Sequence, residues 1–533
     1  MKKLLLLILI IDFLSTSFTY SQLAPTEKGL EAITTDAIKA QLGFLSSKWT
    51  EGRMTGEKGE FLSADYIASI LQTYGVKPGG DLYQASNAAN SPKTADRTYF
   101  QNFLLLKRTP GEEQVMKIRS VEGQTTRTYS FTYGVDFQFR QITASVEVDA
   151  PVVFVGYGFK NEKLKFNDFS KLDLKGKFLL RITGVPEFAR QQLTMNEIYT
   201  AEREIENIAR TGGALGIIEI YPNSPVLGAP ARKDFNNMSP SENTPRSSQA
   251  NVSYSIPGKS NTESPLRIMV SIKTANEILS GTGIIIEEYL NKANANSPYT
   301  LSDIRGKNLF VKTTSVTSTV AVRNVIGVIE GNDPEQTIVL GAHSDHMGMS
   351  NGYLWNGADD NGSGTVGVMT IAKAIMATGK KPDKTIIIAL WTAEEEGLLG
   401  SRYWVQNLTC PIKNVKLNVN FDMISRYIND NEPNKVTMTY SLSNPGFKDI
   451  TVANLKKYGI NLLVDYQPSA EPPGGSDHRS FVAVGIPIMR FKPGHREEYH
   501  TPNDEFETVD WDIMEKIIKI SFANVWELAN AVW

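Results

Sequence analysis

Thr385–Ser401 reads TIIIALWTAEEEGLLGS. Its first half is a run of β-branched and apolar residues of strand length, and its second half has the texture of a helix start. Between them stand three consecutive glutamates, Glu394, Glu395 and Glu396. Adjacent carboxylates at the end of a buried strand repel one another and need a cation to hold them. Other apolar runs of the C-terminal half end in the same way. TIVLGAHSD (337–345) ends in His343 and Asp345, and VKLNVNFDMI (415–424) carries Asp422. NGADDNGSGT (356–365) sets Asp359 and Asp360 in a glycine-rich turn before a helix, and EEYHTPND (497–504) carries His500 in a loop.

From about Asn308 such strand-like runs alternate with helical patterns. This predicts an α/β fold with a mostly parallel central sheet flanked by helices, whose functional residues collect at the carboxyl ends of the strands. All five histidines lie between His343 and His500. Histidine with carboxylates is the usual ligand set of catalytic zinc, and no His-Glu-x-x-His helix is present to supply a simpler site. Two histidines and three or more carboxylates exceed what one four-coordinate zinc with an open position can use. They suit a pair of metals about 3.5–4 Å apart, sharing a carboxylate and a water. One acid must stay free to take the proton of that water, and the glutamate run offers a ligand and a base side by side.

The rest of the chain bounds this reading. A length of 533 residues predicts two or three domains, and 41% hydrophobic with 21% charged residues is the composition of a globular protein. The formal net charge of -3 gives no basic field for nucleic acid. MKKLLLLILIIDFLSTSFTYSQ reads as a secretory signal, residues 1–21, with Lys2 and Lys3 before the apolar run and cleavage near Ser21. The apolar run is too short to span a bilayer, so export without a stable membrane anchor is expected. The single cysteine, Cys410, allows no internal disulfide. Texture changes near Asp136, where short apolar strands begin, and a polar Asn/Ser/Pro-rich tract over 221–265 reads as a surface loop or flap.

These blocks resemble the metal site of the M28 family of co-catalytic zinc metallopeptidases, secreted bacterial aminopeptidase type: GAHSDHMG, GADDNGSGT, AEEEGLLGS, NFDMI and YHTPND, in order. The resemblance implies a zinc-exopeptidase fold over 22–135 and 308–533. The VVFVGYGF and ARTGGALGIIEI stretches resemble a β-rich protease-associated domain, inserted at 136–307. It also implies roles. His343 and Asp422 would hold one zinc ion, Glu395 and His500 the other, and Asp360 would bridge the two. Glu394 would be the general base for the bridging water, Asp345 would orient His343, and Tyr499 would polarise the scissile carbonyl. The implied cofactor is two Zn2+, and the implied partner is a peptide with a free N-terminus.

The remaining candidates have plainer readings. Asp359 reads as a turn residue, Glu396 as a surface residue, His346 and His478 as non-ligands, and His495 as a solvated loop residue. Asp477 and His478, in GGSDHRSF, stand beside the site. Rival functions are a carboxypeptidase or dipeptidase of the same fold, with Arg479, Arg490 or Arg496 receiving a carboxylate. A glutaminyl cyclase and a non-catalytic binding protein are the other two. Oligomeric state and side-chain preference are not marked in the sequence.

Overall fold

The apolar runs become strands in a computed structural model that describes residues 23–83, 96–122, 124–140, 144–220, 252–258, 265–297, 299, 301, 303–350 and 352–531. The expected signal at 1–21, its cleavage near Ser21, and most of the polar tract 221–265 lie outside the described residues. Among the described residues, no helix is long and apolar enough to cross a membrane.

The strands that matter here are, in chain order, β1 Phe100–Glu122, β2 Phe137–Phe139, β3 Val146–Phe154, β4 Phe178–Ile182 and β5 Gly216–Ile220. There follow β6 Ser253–Ser255, β7 Leu266–Val270, β8 Asp303–Ile329, β9 Asp333–His343 and β10 Lys384–Trp391. The last are β11 Val415–Asn420, β12 Lys435–Ser441, β13 Leu463–Ser469 and β14 Ile488–Lys492. Helices α1 Thr35–Leu45, α2 Lys58–Thr73, α3 Gly364–Ala377, α4 Leu399–Gln406, α5 His478–Val482 and α6 Trp511–Asn530 pack around them.

The strands run in the order β13-β12-β14-β11-β9-β10-β8-β3-β4-β5-β7-β2 within one large sheet. β10, β9, β11 and β14 are mutually parallel, which is why their runs are apolar on both faces. One face packs on α3 and α6 through Val366, Ile371, Ile517 and Phe522. The other meets Trp404 and Phe481 from α4 and α5, with Trp391 completing an aromatic cluster. On the last helix Phe522 and Trp526 are buried in this core, and Trp511 packs against it partly buried. The register sets His343 opposite Trp391 and Gly341 opposite Asn420, so the strands end level and the residues just past them meet.

β1 and β8 pair over nearly their whole length, from Phe100↔Val325 to Ser120↔Lys307. Both run from the first core into a second one, built by Phe137, Phe154, Phe178, Leu180, Ile218, Ile268 and Leu309 around the parallel strands β3, β4, β5 and β7.

The N-terminal segment is fastened to the strand ends by a buried arginine. Arg53 is 1% exposed and donates to the carbonyls of Leu45 (2.6 Å), Asn356 (2.7 Å), Ser344 (2.8 Å) and Gly357 (2.9 Å). Burial pulls its guanidinium down to about 10, against the opposing charges of Asp504 and Asp345, so it stays charged at neutral pH. Arg53→Met removes all four of these bonds and should cost about 3–5 kcal/mol in urea unfolding. A loss below 1 kcal/mol would show that the fastening is not needed.

Candidate metal centre

Five segments converge at the carboxyl ends of the parallel strands. β9 delivers His343, the turn after β10 delivers Glu394 and Glu395, and the residues after β11 deliver Asp422. The turn before α3 delivers Asp360, and the loop after β14 delivers His500. Three of the turns use left-handed backbone at non-glycine residues: Ala393 (φ 52°), Met423 (φ 59°) and His500 itself (φ 54°). Such conformations are disfavoured for residues with a Cβ and persist where the surroundings impose them. Gly357 (φ 56°) opens the Asp359–Asp360 turn, and any Cβ there would collide with the Asp360 carbonyl and the His346 ring.

Asp360 stands between two imidazoles. Its Oδ1 lies 3.3 Å from His343 Nε2, and its Oδ2 lies 2.9 Å from His500 Nε2. Glu395 reaches the same His500 Nε2 at 3.2 Å and His346 Nδ1 at 2.8 Å. Glu394 lies 3.9 Å from His343 Nε2. Two sets of ligand atoms lie within 4.8 Å of one another: His343, Glu394 and Asp422, and His346, Asp360 and Glu395.

Two aspartates hold this arrangement from behind by the same device. Asp345 accepts from the backbone N–H groups of Glu394 (3.1 Å) and Glu395 (3.2 Å). Asp504 accepts from those of Asp359 (2.9 Å) and Asp360 (2.9 Å). Asp359 ties the turn to the segment after β11, accepting from Ser425 N (2.9 Å) and Oγ (2.7 Å). Asn361 joins the same two segments, donating to Phe421 O (2.9 Å) and accepting from Met423 N (3.2 Å).

The expectations fare unevenly. His343, Asp360, Glu394, Glu395, Asp422 and His500 are brought together. Tyr499 packs at a tilt against His500 with ring centroids 3.9 Å apart, and against His495 at 4.7 Å. Asp345 sits beside His343, but the neighbour nearer to His343 Nδ1 is its backbone carbonyl at 3.2 Å, with its carboxylate at 3.8 Å. Asp359 is in a turn, yet fully buried and bonded. Two readings are corrected. Glu396 is half-buried, near Tyr254 of β6, and its carboxyl is pushed up to about 8, first by burial and then by Asp345. His495 is half-buried as well, because Tyr499 folds over it. His346, read as a non-ligand, faces Glu395 with its Nε2 buried and without a hydrogen-bond partner. Asp504, Arg53 and Glu60 were not singled out. Asp504 lies inside the YHTPND block, where its spacing from His500 was the available signal.

The electrostatics ask for cations. Glu60, Asp345, Asp359, Asp360, Glu394, Asp422, Asp477 and Asp504 are each at least nine-tenths buried, against Arg53, Arg426 and Arg490 as buried cations at this end of the sheet. Burial raises Glu394 well above the usual carboxylate range, helped by Glu395, Asp477 and Asp422, and it pushes Asp477 up to about 7. Burial pulls His500 down, but the Glu395 charge and hydrogen bonds to Asp360 and Glu395 outweigh it and push it up to about 9. The donor set fits metal ions: two imidazoles facing separate oxygens of one carboxylate, with further carboxylates beside each.

Residues 324–525 match the family model of peptidase family M28. The M28 segment contains all the residues brought together above. The chain is 36% identical over 169 residues to leucine aminopeptidase 2 of Trichophyton rubrum, covering 31% of this chain and 32% of that protein. It is 34% identical over 167 residues to leupeptin-inactivating enzyme 1 of Streptomyces exfoliatus, covering 31% and 34%. It thus spans about a third of the length of these relatives. In fold it is similar to an aminopeptidase from Aneurinibacillus sp. strain AM-1, with a TM-score of 0.57 at 18% identity over 95% of this chain and 97% of that one. It is also similar to a zinc aminopeptidase from Bacillus subtilis, with a TM-score of 0.52 at 18% identity over 93% and 96%.

Behind Asp345, Glu60 is buried, bonded to Gly56 N (2.5 Å) and to the Thr392 hydroxyl. Burial, and then Asp345, push its carboxyl up to about 8. The unfolded chain therefore ionises first, so the Glu60 contribution to stability is whole below the unfolded value and is lost as pH rises toward 8. Glu60→Gln should gain on wild type between pH 5 and pH 8, by at most about 1.4 kcal/mol per pH unit, in paired thermal melts. A difference that stays flat with pH would contradict a buried neutral carboxyl.

Proposed function

We propose that the protein is an exported zinc-dependent aminopeptidase that removes N-terminal residues from peptides at a dinuclear site. The observation that carries this is Asp360, whose two oxygens face two different imidazoles. His343 and Asp422 would hold one zinc ion, Glu395 and His500 the other, with Asp360 shared. The match of residues 324–525 to the model of peptidase family M28 and the aminopeptidase names of the relatives support the reading. In the same reading 1–21 is the export signal, 22–135 and 308–533 form the peptidase body, and 136–307 is the inserted unit.

Bound zinc would supply a Lewis acid for the peptide carbonyl and lower the pKa of water. The remaining steps fall to side chains. Glu394 takes a proton from water at a carboxylate oxygen and passes it to the leaving amine. Its burial, which holds the carboxyl well above the usual range, suits a base that must keep a proton between those steps. Asp345 fixes the backbone of Glu394 and Glu395 through its two hydrogen bonds, so base and ligand move as one. Tyr499, packed on His500, is the candidate donor to the substrate carbonyl oxygen.

A carboxypeptidase or dipeptidase of the same fold is the second reading, favoured by one observation. Of the three arginines considered for a carboxylate, Arg479 donates to Pro472 O (3.3 Å) and Arg496 pairs with Asp430 (3.0 Å), whereas Arg490 faces the centre.

Glu394→Gln should lower hydrolysis of peptides with free N-termini by roughly 10²–10⁴-fold while metal content stays at the wild-type level. Acetylated peptides should resist the wild-type protein. Cleavage of acetylated peptides at equal rate, or full activity in the variant, would overturn the assignment.

A further inference from the structure

We propose that Arg490 and Lys492 form a carboxylate-binding subsite beside the metal centre, so that the preferred substrates carry a carboxylate next to the scissile bond. This deepens the peptidase reading above and rests on it.

Both residues lie on β14, at alternate positions, and so share one face of the strand. Ile488 begins that face among Trp391, Trp404 and Phe481, while Met489 and Phe491 fill the opposite core. The face therefore passes from an apolar layer directly into a basic one at the strand end, where the candidate ligands gather. Arg490 is 8% exposed. Among the described residues it has no ion-pair partner, and its hydrogen bond is to a neutral group, His478 Nδ1 at 3.4 Å. His478 donates its other nitrogen to Pro473 O at 3.1 Å, which leaves Nδ1 as an acceptor. Burial, with the Arg490 charge next, pulls His478 down to about 3, so it does not compete as a cation. Lys492 lies 3.6 Å from Met423 Sδ and 3.9 Å from Asp422 Oδ1.

A nearly buried guanidinium without a carboxylate is costly unless an anion completes it. The acids whose charge it feels are Asp422 and Glu394. In the proposed site the first is a metal ligand and the second is the base, so neither is free to serve as its counterion. His495, beside Lys492, adds a buried Nδ1 without a hydrogen-bond partner. Arg490, held only by a long bond to a neutral imidazole, and Lys492, whose nearest carboxylate is the proposed ligand Asp422 at 3.9 Å, thus stand as under-matched cations next to the residue proposed as base. A planar guanidinium with an ammonium beside it matches a carboxylate. That carboxylate can be the side chain of a terminal Asp or Glu, or the α-carboxylate of a dipeptide.

The test uses the full-length metal-loaded protein and two matched pairs of ligands. Glu-Leu-amide against Gln-Leu-amide isolates a side-chain carboxylate, and Leu-Leu against Leu-Leu-amide isolates a terminal one. Binding is read by calorimetry in the Glu394→Gln background, and hydrolysis is read in parallel with the Glu394 protein. One pair should favour its acid member by about tenfold or more, and Lys492→Met should erase that preference while leaving the neutral member unchanged. Lys492→Glu should turn the preference toward Lys-Leu-amide if the side-chain pair is the one that responds. Arg490→Met should act as Lys492→Met does, with Arg490→Lys restoring part of the preference. Equal binding within both pairs overturns the subsite, as does a Lys492→Met loss shared alike by acid and neutral ligands, which is what a purely structural cation would give. The binding readout carries the subsite and the hydrolysis readout carries the peptidase reading, so the two fail separately.

Discussion

Asp360 offers one oxygen to each of two imidazoles, and much of the surrounding structure serves to keep that carboxylate in place. Its own N–H is held by Asp504, its turn is stitched to the segment after β11 through Asp359 and Asn361, and its entry is opened by Gly357. The imidazoles come from segments far apart in the chain, His343 from the end of β9 and His500 from the loop after β14. A carboxylate that links them must wait for long-range strand pairing before its neighbours exist.

The same concentration of acid explains the supporting architecture. Eight carboxylates buried at one end of a sheet would drive it apart unless each were bonded, protonated or matched by a cation. Asp345 and Asp504 are bonded to pairs of backbone amides. Arg53 and Arg426 bring fixed positive charge from the N-terminal segment and from the loop after β11, Arg426 lying 3.6 Å from Asp504. What remains unmatched sits at Asp360, Glu394, Glu395 and Asp422, where metal charge would be most effective. Such a concentration of acid costs stability, a compromise common at functional centres.

Much of this was legible because apolar strand runs that end in acid and histidine are hard to explain otherwise. The parallel sheet, and the gathering of His343, the glutamate run and Asp422 at its strand ends, follow from reading where such runs stop, whereas the choice of Asp360 over Asp359 and the separate roles of Glu394, Glu395 and His500 came with the family resemblance. The illegible residues are those whose role depends on what packs over them. Glu396 looks like surface until β6 brings Tyr254 beside it, and His495 looks solvated until Tyr499 covers it. Asp345 was expected to serve His343 with its carboxylate. In the fold its oxygens go mainly to two backbone amides, a pairing that side-chain types cannot reveal. Arg53 lies 291 residues before Ser344 and Glu60 332 residues before Thr392, beyond the reach of local pattern.

The account is tested most directly by counting zinc. Calorimetric titration of metal-free protein with Zn2+, checked by elemental analysis after dialysis, should give two ions per chain for wild type. Asp360→Asn, which keeps the size of the side chain and one of its oxygens, should retain at most one tightly held ion. A wild type that saturates at one ion, or an Asp360→Asn protein that still holds two with undiminished affinity, would contradict a centre built on a shared carboxylate.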